Sequence, residues 1–163
     1  LESARLAHLG GATVILNPAP ACELPEEIFS FLNIITPNES EIEHLTGVKI
    51  TDKTSMENAA SNLHELGISV VLLTLGSKGV FLSEKKNNEV QNQIFPAFEV
   101  MPVDTTAAGD VFNGCLAVSL AAESSLVESI RFAQAAAALS VQTLGAQTSA
   151  PSLGAIEKFL QES

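Results

Sequence analysis

Basic residues are scarce in this chain: of 163 residues only 8 are Lys or Arg, against 19 Asp or Glu, a formal charge of −11. No basic run exceeds the pair Lys85-Lys86, so a surface that tracks nucleic-acid phosphates is excluded. Cysteine is nearly absent too. Cys22 and Cys115 cannot build a disulfide framework or a four-ligand zinc site. No apolar run approaches the ~18 residues that a membrane-crossing helix needs, and the opening LESARLAHLGG does not read as a secretory leader. What is abundant is apolar carbon: 46% of the residues are hydrophobic, enough for a packed core rather than disorder. At this length a compact fold removes roughly 70% of the surface that the unfolded chain exposes. The composition predicts a soluble, acidic domain of a reducing compartment, with neither a nucleic-acid nor a membrane partner.

The two ends differ. Ala4, Leu6, Ala7 and Leu9 have helical spacing and Gly10-Gly11 is a helix stop, yet no cap or first turn precedes them. Residues 1–9 are expected to be the last two turns of a helix whose start is missing; an expression remnant ahead of a short native helix is the alternative. At the other end Pro151 can open a final helix carrying Ile156, Phe159 and Leu160. The expectation is the C-terminal portion of a larger protein.

Between the ends, strand and helix patterns alternate. Thr13–Leu16 reads as a buried parallel strand stopped by Asn17-Pro18, and Pro25–Leu32 as a short helix. Asn33–Thr36 holds a second strand, and Asn38–Leu45 a helix stopped by Gly47. An amphipathic helix spans about Ser55–Leu66, with Ala59, Ala60, Leu63 and Leu66 on one face. Ser69–Leu75 is the strongest strand; Gly76–Gly79 turns, and Val80–Ser83 returns as a hairpin would. Glu84–Asn92 reads as a loop or exposed hairpin tip, and Ile94–Val103 as one or two edge strands limited by Pro96 and Pro102. Helices follow at about Asp110–Ala122 and Leu126–Val141. This order predicts an α/β sheet layered by helices, with antiparallel strands at one side.

One segment concentrates chemistry: Asp104-Thr105-Thr106-Ala107-Ala108-Gly109-Asp110. Its small residues leave backbone exposed, and Gly109 permits a tight or positive-φ geometry where a helix begins. Unpaired N–H groups and the positive end of the helix dipole then converge on one point, an anion site. Asp110 in the first turn would be a carboxylate beside it. An ionised acceptor next to an anion hole suits phosphoryl transfer to an alcohol. Asp110 as a simple helix cap is the competing reading.

The stretch DTTAAGD followed by VFNG resembles the C-terminal signature of the phosphofructokinase-B group of carbohydrate kinases, the ribokinase-like family. Asn17-Pro18-Ala19-Pro20-Ala21, Thr36-Pro37-Asn38-Glu39-Ser40-Glu41, Thr74-Leu75-Gly76-Ser77-Lys78-Gly79 and Gly145-Ala146-Gln147 agree in order and spacing. Each motif is weak by itself, but five in order are specific, and they cover nearly the whole chain. The LNPAPA and Thr-Pro-Asn-Glu stretches look closest to the ribose-phosphorylating members. The resemblance implies a Rossmann-like, mostly parallel sheet layered by helices with antiparallel edge hairpin strands. Residues 1–163 would be the C-terminal nucleotide-binding portion of a single larger domain, in a cytoplasmic protein with an organelle left open.

The implied activity is ATP-dependent phosphorylation of D-ribose to ribose 5-phosphate. Another sugar or nucleoside kinase of the group, or a non-catalytic nucleotide-binding module, is the alternative. Asp110 would be the catalytic base, with Ala107, Ala108 and Gly109 as the anion-hole backbone. Thr74, Leu75, Gly76, Ser77, Lys78 and Gly79 would contact ATP; a Gly-flanked turn leaving a strand's carboxyl end suits a ligand crevice, and equally a plain hairpin turn. Asn38 and Glu41 match an Asn-x-x-Glu that organises phosphates, Mg²⁺ and water, though the same spacing makes a capping box. Asp104, Thr106, Ser140, Thr143, Gly145 and Ser149 fall on the positions of a K⁺ site, with Thr143 where bacterial members often carry Arg. Gln134 falls near the adenine, at a position that often holds His or Asn. Family members run to about twice this length, and their other half supplies a lid and most sugar contacts. The full-length protein is then expected to be a homodimer and this chain alone to be inactive.

Other residues carry less. His8, His44 and His64 lack ligand spacing and read as surface or helix-face residues. Cys115 reads as a small core residue on an apolar helical face, and Glu39 and Glu43 as a solvated face.

Overall fold

The computed structural model describes residues 1–87 and 89–163. The chain forms two compact units, residues 1–76 with 80–95, and residues 77–79 with 96–163. No helix among the described residues is long and apolar enough to cross a membrane.

The first unit holds a five-stranded sheet in the order β1 (Ile15–Leu16), β2 (Ile34–Ile35), β3 (Val70–Thr74), β4 (Val80–Lys86) and β5 (Glu89–Phe95). β1, β2 and β3 pair in parallel, with Ile15 opposite Ile34 and Ile34 opposite Val70. β4 runs antiparallel to β3, and β5 antiparallel to β4. Four of the five strands, β1, β2, β3 and β5, therefore point the same way, as a mostly parallel sheet with an edge hairpin requires. Helix α1 (Glu2–Leu9) precedes β1, and helices α2 (Glu26–Phe29), α3 (Glu39–Thr46) and α4 (Lys53–Glu65) connect the parallel strands. Their ends are set chemically. Asp52 and Ser55 close a capping box on α4, and Gly47 ends α3 in the left-handed conformation at φ 71°.

The core of this unit joins the inner faces of α3 and α4 to the sheet: Ile42, Ala59, Ala60 and Leu63 are fully buried against Ile35, Val71, Leu73 and Phe81. Truncating such a side chain, as in Leu63→Ala, costs about 2–5 kcal/mol. His64 belongs to this interior rather than to the surface expected of it. Its Nδ1 lies 2.7 Å from the Ile68 carbonyl and its Nε2 2.9 Å from the Ser83 hydroxyl.

Two strand expectations need correction. The stretch Glu84–Asn92 is mostly strand: β4 extends to Lys86 and β5 begins at Glu89, with residue 88 outside the described residues. Conversely, β5 ends at Phe95, and residues 96–103 form neither helix nor strand. Pro96 and Pro102 lack the N–H that a ladder needs.

The second unit is helical. α5 (Ala108–Ala121) packs on α6 (Leu126–Ser140), and α7 (Leu153–Glu162) packs on α6 as well. Its core gathers Ala135, Ala136 and Ile156 with Phe98, Val111, Cys115, Phe132 and Phe159. Small alanines on α6 let its neighbours approach closely, and burial raises the Cys115 thiol pKa, consistent with a core role. Ser125 with Glu128 and Ser152 cap α6 and α7.

Candidate active site

In the first unit the carboxyl ends of the three parallel strands carry Asn17, Asn38 and Thr74. Open α/β sheets bind ligands at this edge. Asn17 follows β1 and its side-chain amide donates to the Thr36 carbonyl at 3.0 Å. Asn38 and Thr74 form a parallel bridge, and the Thr74 N–H donates to the Pro37 carbonyl at 2.9 Å. Asn38 is also the N-cap of α3. Its side-chain oxygen accepts from the Glu41 N–H at 2.9 Å. The Asn38 N–H and side-chain amide donate back to the two Glu41 carboxylate oxygens at 2.8 and 2.9 Å. The capping box is thus formed, and Glu41 is buried within it. Asn17 was not singled out as a site residue from sequence; the Asn-Pro stop directly after a β-branched run is the signal that marks it.

The Gly76–Lys78 turn is a 3₁₀ helix leaving β3. Gly76, Ser77 and Lys78 are exposed, while Leu75 and Gly79 are buried. The Leu75 side chain belongs to the core, which leaves only its backbone to face a ligand.

The second unit contains the segment from Asp104 to Asp110. Ala107 is the N-cap of α5 and is left-handed, with φ 63° and ψ 9°. The unusual conformation therefore falls on Ala107, whereas Gly109 is an ordinary helical residue whose Cβ position faces open space. A left-handed alanine costs about 1–2 kcal/mol, and strain of this kind concentrates at functional sites. No side chain caps α5. The Ala108 N–H donates to the Thr105 carbonyl at 3.3 Å, and the Val111 N–H makes the first helical bond, to the Ala107 carbonyl at 2.9 Å. Between them, the Gly109 and Asp110 N–H groups have no backbone acceptor among the described residues. Both residues are exposed. Free donors and the helix dipole thus point where the Asp110 side chain also begins.

Beside this turn, Asp104 ties two loops together. One oxygen of its carboxylate accepts from the Thr106 N–H at 2.9 Å and the other from the Gly145 N–H at 3.0 Å. The Thr106 hydroxyl, then the Gly145 and Thr106 N–H groups, lower its pKa from 3.8 to about 2. The Val103 and Asp104 N–H groups both donate to the Val141 carbonyl, at 2.7 and 3.1 Å. Gly145 has φ 97°, and a Cβ there would meet the Thr148 hydroxyl at 2.7 Å, so the loop requires glycine. Thr143 donates its N–H to the Ser140 carbonyl at 3.1 Å. The Ser140 and Ser149 side chains are buried, bonded to the Ala137 and Ala146 carbonyls. Asp104, Thr106 and Gly145 are therefore drawn into one network. Ser140 and Thr143 share the turn after α6.

Gln134 is buried on α6. Its side-chain oxygen accepts from Arg131 at 3.1 Å, and its amide donates to the Pro96 carbonyl at 3.4 Å. Among the described residues no three His, Cys, Asp or Glu side chains gather as a metal cluster. A divalent ion here would rely on phosphate oxygens and water, as Mg²⁺ commonly does.

Known proteins resemble this chain in sequence and fold. Residues 2–153 match the pfkB family carbohydrate kinase, and the chain belongs to that family. It is 48% identical over 159 residues to the ribokinase of Haemophilus influenzae, covering 98% of this chain and 51% of that protein. The crystal structure of a Thermotoga maritima ribokinase superposes with a TM-score of 0.86 at 44% identity, covering 98% of this chain and 52% of the other. An Arabidopsis thaliana ribokinase structure, complexed with ribose and ATP, superposes with a TM-score of 0.88 at 36% identity, over 98% of this chain and 51% of the other. The chain thus spans about half the length of the relatives it matches.

Proposed function

We propose that this chain supplies the nucleotide-binding and phosphoryl-transfer half of an ATP-dependent kinase that converts D-ribose to ribose 5-phosphate. The observation that carries the reading is the open first turn of α5, where the free N–H groups of Gly109 and Asp110 adjoin an exposed carboxylate. The relatives named above as ribokinases, one of them bound to ribose and ATP, support the choice of substrate.

In this mechanism Asp110 takes the proton of the sugar's primary hydroxyl as that oxygen attacks the γ-phosphorus. The bond from phosphorus to the ADP oxygen breaks, and the ADP carries the electron pair away. Charge on the transferring group faces the free N–H groups of Gly109 and Asp110, pre-aimed donors that need no reorganisation, whereas the Ala108 N–H expected among them is already bonded to the Thr105 carbonyl. Thr74 and the Gly76–Gly79 turn would contact the nucleotide, and Gln134 would be an adenine contact.

Two ions fit the donors present. One lone pair of each Glu41 oxygen is used by Asn38, so Asn38 and Glu41 would hold Mg²⁺ through its water, where the ion screens phosphate charge. The Asp104 carboxylate stays ionised, and the oxygens of the loops at Asp104–Thr106 and Ser140–Ser149 are of the hard type that suits such a cation. They would hold K⁺, which supplies positive charge beside the anion hole. The sugar contacts, the homodimer interface and full activity belong to the complete protein, and this chain by itself is inactive on ribose.

The test is a coupled ADP-release assay on the complete protein with ribose and Mg²⁺-ATP. Asp110→Asn is expected to lower kcat by at least ~10³ with little change in ATP affinity. A variant that keeps more than a tenth of wild-type kcat removes Asp110 from the role of base. Turnover driven by another sugar or a nucleoside, and not by ribose, replaces the substrate.

A further inference from the structure

The segment from Pro96 to Val103 has no secondary structure, yet it delivers Asp104 and, three residues on, the left-handed Ala107 that opens α5. Something other than a ladder must fix its path. Its far end is held by the two N–H groups that share the Val141 carbonyl. Its near end is held by side chains of α6: the Gln134 amide donates to the Pro96 carbonyl at 3.4 Å, and Arg131 makes the shorter and more numerous contacts. Arg131 donates through Nη1 to the Pro96 carbonyl at 3.0 Å and to the Gln134 side-chain oxygen at 3.1 Å. The centre of its guanidinium lies 4.0 Å from the centroid of the Phe98 ring. Phe98 in turn meets Phe159 of α7 edge-on, with ring centroids 5.1 Å apart.

We propose that Arg131 is a positioning residue for phosphoryl transfer: it clamps the Pro96–Val103 arm onto α6 and so sets where the anion-hole turn stands. The proposal rests on the kinase reading above. Three features carry it. Arg131 contacts the arm by two different interactions, a charge-assisted hydrogen bond and a cation–π stack. Those contacts fall on Pro96 and Phe98, upstream of the chemistry, whereas Val141 holds the arm at its downstream end. Both anchor points lie along one rigid helix and its C-terminal turn, so the arm is strung between fixed posts. A small misplacement of a catalytic group costs rate out of proportion to stability.

The complete protein with Arg131→Ala should show kcat reduced about tenfold with the KM for ribose unchanged, because the acceptor site is untouched. Hydrogen exchange of the Val103 and Asp104 amides should speed up by a similar factor. Arg131→Lys keeps the charge and a donor but loses the flat face on Phe98; kcat and exchange should fall between wild type and Arg131→Ala. This variant keeps the test readable if Arg131→Ala does not fold. Wild-type kcat with wild-type exchange in a folded variant overturns the proposal, even if its Tm drops. So does either change without the other, since the arm would then not link Arg131 to the reaction. If the wild-type protein itself shows no sugar-dependent turnover, the kinase reading fails. The exchange rates still report separately whether Arg131 holds the arm.

Discussion

Adding a single methyl group at Gly109 separates the stability of the α5 turn from its chemistry. Gly109 is the second residue of α5 and has a helical backbone, and no atom lies within 4 Å of the position a Cβ would take. Gly109→Ala should therefore fit without strain. It also reduces the freedom of the unfolded chain, a gain of about 0.4–1 kcal/mol, or a rise in Tm of ~2 °C for a protein of this size class. On the proposed mechanism, the same methyl stands beside the Gly109 N–H, in the open space through which a phosphoryl oxygen would approach. Loss of one such donor costs about 10²–10³ in kcat, or ~2.7–4 kcal/mol of transition-state stabilisation. A more stable protein that has lost at least a hundredfold in kcat is the expected result. Thermal denaturation and coupled ADP release, run on the same preparation, read the two effects. Activity within threefold of wild type would refute the placement of the transferring group at this turn. A Tm lowered by several degrees would refute the claim of open space.

Ala107→Gly should raise stability slightly. It removes a left-handed penalty of about 1–2 kcal/mol and adds roughly 0.5–1 kcal/mol of backbone entropy, so a net gain near 0.5 kcal/mol is expected from urea midpoints. A loss above 1 kcal/mol would show that the methyl packs. Asp104 predicts an acid effect with a definite sign. Its pKa is lower folded than the ordinary 3.8, so its contribution is complete above 3.8 and is lost as pH falls toward about 2. The Tm difference between wild type and Asp104→Asn should close across that window, and a difference that holds constant through it would remove Asp104 from the loop network.

The parts of this fold that were legible in sequence are those where a local signal and burial agree. The run SVVLLTL has no helical period and a Gly stop, and it is the central strand β3. Asn38 and Glu41 announced a helix start three residues apart, and the capping box formed as spaced. Legibility failed where tertiary partners decide. The hairpin of β4 and β5 continues through Glu84-Lys85-Lys86 and Glu89-Val90-Gln91 because each strand pairs the other along a stretch that is partly to fully exposed. Its polar side chains hide the period. Glycine adopts a positive φ at no steric cost, so in sequence Gly109 is the residue of this turn that permits one. The chain instead places it on Ala107, between the Thr105–Ala108 and Ala107–Val111 hydrogen bonds. Arg131 gave no signal as a site residue, since the Pro96 and Phe98 that it holds lie more than thirty positions upstream.

The buried His64 carries a constraint of its own. A carbonyl only accepts, so in the neutral imidazole the nitrogen facing Ile68 must bear the hydrogen. The opposite nitrogen is then the acceptor, and Ser83 must direct its hydroxyl proton toward it. This fixes a single proton arrangement from the end of α4 to the middle of β4. No other side chain reproduces it. An asparagine imitates only the near nitrogen and a glutamine only the far one, so either exchange strands a buried polar atom at about 1–3 kcal/mol. Positions 64 and 83 should therefore change together or not at all, a coupling between a helix and a strand nineteen residues apart that neither residue reveals alone.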